Sequence, residues 1–349
     1  MGWYVSCSLC FVSKQNKKLV KHFIFACLTL LITVFPIFSQ THPKAGNESK
    51  NGKYTADEIF KVKISFPALI YHKYVFTDST KVLRTYSDGS TKTYNRVLQY
   101  SYTFFAPNPP SEGFQKVKID IDSLIYSFKG DSLYIFYDSQ NGHAPNTRFP
   151  DWIANMPMLS KTFDLTYSPY YEVANIEDEK LQELRNYIND KGGSSMDSLT
   201  KYMWIRGYSH EHLLHFTEMN KGIIPFGSFQ GDSVWNAPKF SIEINGMDFN
   251  DTAKVNMKSY NAGIITLEAK CTNIQPQAKE IRSHGISKLT QVESGTGTGN
   301  YEFEVNTQGL IKRAEGIFDT EVNIRIGNEV FKEKIKSHQK WTLIGGYRM

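Results

Sequence analysis

Over most of this chain apolar and polar side chains alternate with a period of two, which confines it to strands with one face buried and one face wet. Val117, Ile119 and Ile121 alternate with Lys116, Lys118 and Asp120. The same pattern predicts strands over about 64–66, 71–78, 82–86, 94–105 and 114–128, with 133–137 returning beside the last of these. Ser87-Asp88-Gly89-Ser90 and Lys129-Gly130-Asp131 punctuate the runs as tight turns. Residues 139–161 read as loop, and 162–167 as a further strand.

The period changes in the middle of the chain. Residues 177–190 place Leu181, Leu184, Tyr187 and Ile188 on one helical face, with acids in the first turn and Gly192 and Gly193 at the end. Two shorter helices are predicted at 196–205 and 209–219, the second with Ser209 as N-cap and Gly222 as stop. From residue 223 alternation returns in Val255/Met257, Ile265/Leu267/Ala269, Tyr301/Phe303/Val305, Val322/Ile324/Ile326 and Trp341/Leu343. Strands, then helices, then strands specify an α+β, β-rich fold rather than βαβ alternation. The expectation is curved antiparallel sheets, half-barrel-like, flanking a central helical segment. The divisions are 1–40, a signal peptide; 41–59, a flexible tether; 60–175, an N-terminal β-rich half; 176–222, the helical segment; and 223–349, a C-terminal β-rich half.

The leader sets the compartment. Lys14, Lys17, Lys18, Lys21 and His22 precede the 17 uncharged residues Phe23 to Ser39. That order is a secretory signal, and 17 residues broken by Pro36 fall short of the roughly 20 that a spanning helix needs. Cleavage near Ser39 leaves no stable membrane span. Cys27 lies inside the apolar run, so lipidation there would leave an apolar mature start. The expected destination is the periplasm, the outer membrane's surroundings or the medium. Past the leader the mature chain keeps only Cys271, in an alternating stretch that buries it as a small hydrophobe. Charge excludes one class of partner. Lys and Arg number 40 against 35 acids, but four of the lysines lie in the acid-free first 40 residues, leaving 36 against 35. No nucleic-acid partner is implied.

Few motifs carry chemistry. His210, His212 and His215 form the densest group of metal-ligating side chains, and His212 and His215 share a helix face. The zinc-protease pattern needs histidines four apart, and position 214 is Leu. Gly295-Thr296-Gly297-Thr298-Gly299 lacks the Lys-Ser/Thr and following helix of a phosphate loop and reads as a glycine-rich hairpin loop. Asp120, Asp122 and Asp131 read as outer-face and turn carboxylates. No cofactor motif is present. Tyrosine and phenylalanine crowd the first half, side chains suited to the wall of an amphiphilic groove or simply to strands.

Three stretches resemble exported bacterial proteins with a β-rich domain of unknown function: Leu159 to Tyr167 leading into the helix near Glu177, Pro225 to Trp235, and Tyr301 to Ile311. The resemblance covers about residues 60–345 and implies an exported β-rich envelope protein, with no catalytic residue to carry over. At fold level the chain is similar to curved-sheet lipoprotein carriers, an analogy that says little about function. The leading expectation is a non-enzymatic envelope protein that takes a lipid-like ligand or another envelope protein, with Trp204, Trp235, Tyr126 and Phe128 as ligand-binding aromatics. A metal-dependent hydrolase using His210, His212 and His215, and a structural surface protein, are the alternatives.

Overall fold

The computed structural model describes residues 55–142, 149–168, 173–177, 179–192, 195–277, 280–281 and 290–348. The expected signal peptide and all but the last residues of the tether lie outside them. The first strands are β1 (Ile59–Phe60), β2 (Tyr71–Thr85), β3 (Thr91–Phe105), β4 (Gln115–Lys129), β5 (Tyr134–Asp138), β6 (Thr162–Tyr167) and β7 (Val173–Glu177). After the helices come β8 (Phe229–Gln230), β9 (Val234–Ile244), β10 (Met247–Asn261), β11 (Ile264–Pro276), β12 (Glu280–Ile281), β13 (Thr290–Asn306), β14 (Ile311–Ile326) and β15 (Glu329–Tyr347). Among the described residues four short helices stand between β5 and β8: α1 (Pro150–Asn155), α2 (Glu179–Tyr187), α3 (Ser198–Gly207) and α4 (His210–Thr217).

Thirteen strands make one open sheet in the order β7-β6-β4-β3-β2-β15-β14-β13-β11-β10-β9, with β5 beside β4 and β12 beside β13. β1 and β8 form a separate pair. All pairings in the large sheet are antiparallel. The last strand pairs with the first long one over a register from Lys332↔Thr85 to Tyr347↔Tyr71, so both β-rich halves share a single sheet.

One face of this sheet is packed on the helices. Tyr74, Phe76, Tyr100, Tyr102, Tyr126, Tyr301 and Trp341 are buried on it. Their polar tips end the helices: Tyr102 and Trp341 both donate to the Phe216 carbonyl (2.8 and 2.9 Å), and Tyr100 donates to Asn155 O (2.6 Å). Carbonyls in the last turn of a helix have no intrahelical partner, and the sheet supplies one. The opposite face of the central strands is a lattice of ion pairs. Lys258–Glu302, Arg313–Glu315, Arg325–Glu293, Lys332–Glu321 and Lys336–Asp319 stand on it, part-exposed. Side chains of this kind keep that face in water rather than hydrocarbon, which outward-facing strands of a membrane barrel would require. No helix among the described residues is long and apolar enough to cross a membrane.

Several elements differ from the sequence expectation. The strands expected at 71–78 and 82–86 are one fifteen-residue strand, because Asp78 and Thr80 stay inward and find polar partners there. The expected loop at 139–161 contains α1 and a 3₁₀ turn (Met156–Met158), six and three residues that are too short for a periodic signal. Leu181 of α2 and Ile188 of the π turn that follows it (Ile188–Gly192) are buried, but Tyr187, expected on the same face, is 60% exposed. The expected N-cap Ser209 accepts from His212 N (3.1 Å), and α3 is capped by Asp197, which the sequence reading did not single out and which accepts from Thr200 N (2.9 Å). The glycine-rich stretch is not a loop. Gly295, Gly297 and Gly299 lie within β13, where a Cβ on Gly299 would stand 2.3 Å from the Phe318 ring. Glycine at these inward positions leaves room for large side chains of β14.

Candidate functional site

Inward-facing charges build a polar layer beneath the helices. Arg96 on β3 is 1% exposed; its Nη1 donates to Asp78 (2.6 Å) and its Nε to Asp151 of α1 (2.8 Å). Tyr126 donates to the same Asp151 oxygen (2.7 Å), and Thr80 and Ser337 donate to Asp78. Gln339 of β15 reaches the Glu243 carbonyl (2.5 Å) and so ties in β9. Opposite charges at hydrogen-bond distance allow such burial. Arg96 and Tyr126 tie β3 and β4 to α1, and Ser337 and Gln339 tie β15 to β2 and β9, which makes the layer a scaffold for α1.

Two of the three expected metal-ligating histidines point into this layer. His212 and His215 are each 3% exposed, whereas His210 is part-exposed at the start of α4. The His212 Nε2 lies 3.4 Å from the Tyr100 hydroxyl, and both ring nitrogens of His215 lack a hydrogen-bond partner. Burial pushes both imidazoles down to about 4, so they are neutral at neutral pH. Among the described residues no group of three or more His, Cys, Asp or Glu is placed to hold a metal ion. The four aromatics expected at a ligand do not converge. Tyr126 is fully buried on Asp151, and Phe128 packs on Phe149 and Tyr94. Trp204 lies near Tyr208 on α3, and Trp235 donates to Ile223 O (2.9 Å) beside Phe229.

Open space lies at the two ends of the strands instead. At the end holding the β13–β14 turn, a cleft of about 500 Å³ is lined by Lys61, Lys63, Pro110, Pro225, Phe226 and Gln308, among others. One wall is the extended segment that precedes β2, with Val62, Ile64 and Phe66 buried and Lys61 and Lys63 exposed. Gln115 pins this wall by accepting from Phe66 N (3.0 Å) and donating to Phe66 O (2.7 Å). Ser65 N donates to the Gly309 carbonyl (3.0 Å). The other wall carries Phe226, 71% exposed, on a segment that Trp235 holds through Ile223. Neither lysine forms an ion pair with a described residue. Sequence reasoning missed this cleft because its walls come from four segments, 61–65, 110–113, 225–227 and 307–308, far apart along the chain.

Gly309 fixes the turn against that wall. Its φ is +92°, and a Cβ there would sit 1.9 Å from the Lys63 carbonyl oxygen. Gly309→Ala is expected to lose on the order of 2 kcal/mol or more of stability and to displace residues 61–65. Urea denaturation measures it, and a loss below about 0.5 kcal/mol would show that the turn adjusts freely.

No family model matches the chain, and neither does any curated protein. Among solved structures the chain is similar to lipovitellin, from a study of its lipid–protein interactions, at a TM-score of 0.40 and 10% identity. That match covers 81% of this chain and 26% of the other, so the chain spans about a quarter of lipovitellin's length. It is also similar to Neisserial surface protein A, at a TM-score of 0.19 and 6% identity, over 78% of this chain and 97% of that one. Likeness at this level lies in the wealth of β-structure.

Proposed function

We propose that this chain is a non-enzymatic, exported envelope protein that binds an anionic amphiphile in the cleft beside the β13–β14 turn. Its sheet is read as a half-barrel closed on its inner side by the central helices. One observation carries the proposal: the cleft sets two lysines, with no acidic partner among the described residues, opposite an exposed phenylalanine and two prolines. An acyl chain would lie on Phe226, Pro110 and Pro225, and an acidic headgroup would take Lys61 and Lys63. The packed inner face favours this end of the sheet over an internal lipid cavity. Trp235 supports the site by positioning the Phe226 wall rather than by touching the ligand.

Laurate and dodecylamine separate the reading from mere hydrophobic capture. In a calorimetric titration of the exported protein, laurate is expected to bind saturably and dodecylamine much more weakly. The double variant Lys61→Glu/Lys63→Glu is expected to weaken laurate about tenfold or more. Equal affinity for the two probes, or an unchanged affinity in the double variant, refutes the assignment.

A further inference from the structure

A second cleft, of about 550 Å³, opens at the opposite end of the strands, between α3, α4 and the turn joining β9 to β10. Tyr202, Arg206, Glu211, His212, Glu243 and Asp248 line it, with Arg185 and Gln277 at its margin. Glu243 and Asp248 are direct cross-strand partners on either side of the Asn245–Gly246 turn. Like charges placed directly opposite each other repel. The Glu243 side chain is only 8% exposed, and no described residue donates a hydrogen bond to its carboxylate. A buried carboxylate in that state is costly unless something cationic completes it.

The ion pair already present leaves it without a hydrogen-bonded cation. Arg206 approaches Glu243 only to 3.7 Å, and its guanidinium donates to the Gly246 carbonyl. Arg185 donates to the Tyr208 carbonyl and to Gln182. His212 is neutral at neutral pH. The two carboxylates of the pair are shifted in opposite directions. Burial, followed by the Glu243 charge, pushes the Asp248 carboxyl up to about 6. Burial alone would also raise the Glu243 carboxyl, but His215 when protonated, then Arg206, His212 when protonated and Arg96 outweigh it and hold Glu243 well below the usual carboxylate range. Glu243 is therefore the permanent anion of the pair.

We propose that this cleft binds an organic ammonium group, held between the Glu243 and Asp248 carboxylates with the Tyr202 ring beside it. Two carboxylates take two of the three N–H donors of a primary ammonium, and an aromatic face attracts the remaining charge. A metal ion fits less well, since no group of three ligating side chains is assembled among the described residues. The site is independent of the amphiphile cleft, which lies at the other end of β10 and β11, so either can fail alone.

The test uses benzylamine as probe and benzyl alcohol, its uncharged analogue, as control, read by saturation-transfer NMR and by thermal shift on the whole exported protein. Benzylamine is expected to bind saturably and to raise the melting temperature, and benzyl alcohol to do neither. Glu243→Gln, which keeps the side chain's shape, is expected to weaken benzylamine at least tenfold. Tyr202→Ala, at the part-exposed rim, gives a second reading if the first variant does not fold, with an expected loss of several-fold. Absence of saturable benzylamine binding, equal binding of benzyl alcohol, or unchanged affinity in the folded variants overturns the proposal.

Discussion

Arg96→Leu is expected to remove about 3–5 kcal/mol of folding stability, the largest single loss from any charged side chain here. Arg96 is the cation between two buried carboxylates, Asp78 at 2.6 Å and Asp151 at 2.8 Å, all three almost free of solvent. Removing it leaves two uncompensated anions near each other in a medium that solvates neither. The two acids belong to different elements, β2 and α1, so their repulsion would also push the helix from the sheet. Denaturant midpoints measure the effect, and a loss under about 1 kcal/mol would mean that water already reaches the cluster. Adding Asp78→Asn and Asp151→Asn to Arg96→Leu is expected to recover part of the loss, because the buried charge goes while much of the hydrogen bonding remains.

Acid is expected to weaken the fold through the buried histidines. His212 and His215 are held down to about 4, against 6.5 in the unfolded chain. Between those values the unfolded chain binds protons that the folded chain refuses, so their stabilisation is complete above about pH 6.5 and lost as the pH falls toward 4. Each shift corresponds to about 3 kcal/mol. Asp248 opposes them: with its carboxyl raised to about 6, the folded form gains a proton first and gains stability over part of the same window. The net expectation is a fall of about 3 kcal/mol from pH 6.5 to 4. His215 offers a clean handle, since neither ring nitrogen has a partner and the ring stands edge-on to Phe76 at 5.1 Å. His215→Phe is expected to leave stability at pH 7 within about 1 kcal/mol of wild type and to remove most of the net acid loss. An acid limb unchanged in the variant would assign the loss to other groups.

The residues that carry these effects show why part of the molecule was legible beforehand and part was not. Period-two alternation located most of the long strands, because side-chain direction along a strand is set by local backbone geometry. Ser209 as a helix cap was legible for the same reason: its bond to His212 N spans three residues. The glycines at 295–299 misled, since composition suggests a turn while their use is to clear space for Phe318 across the strand pair.

Asp78 marks the boundary between what the sequence determined and what tertiary structure decided. Its place in the alternation Tyr74, Phe76, Asp78, Thr80, Val82 is written in the chain, but burial of a carboxylate depends on Arg96, 18 residues on, and on Ser337, 259 residues on. The same holds for the candidate sites. Lys61 and Phe226 face one cleft, and Glu243, Asp248 and Tyr202 another, through strand order and helix packing. Sequence alone located most of the long strands, the longer helices and the Ser209 cap, all of which depend on interactions within a few residues. The pairing of β2 with β15, the inward charges and both clefts depend on contacts between distant segments, whose energies no local pattern encodes.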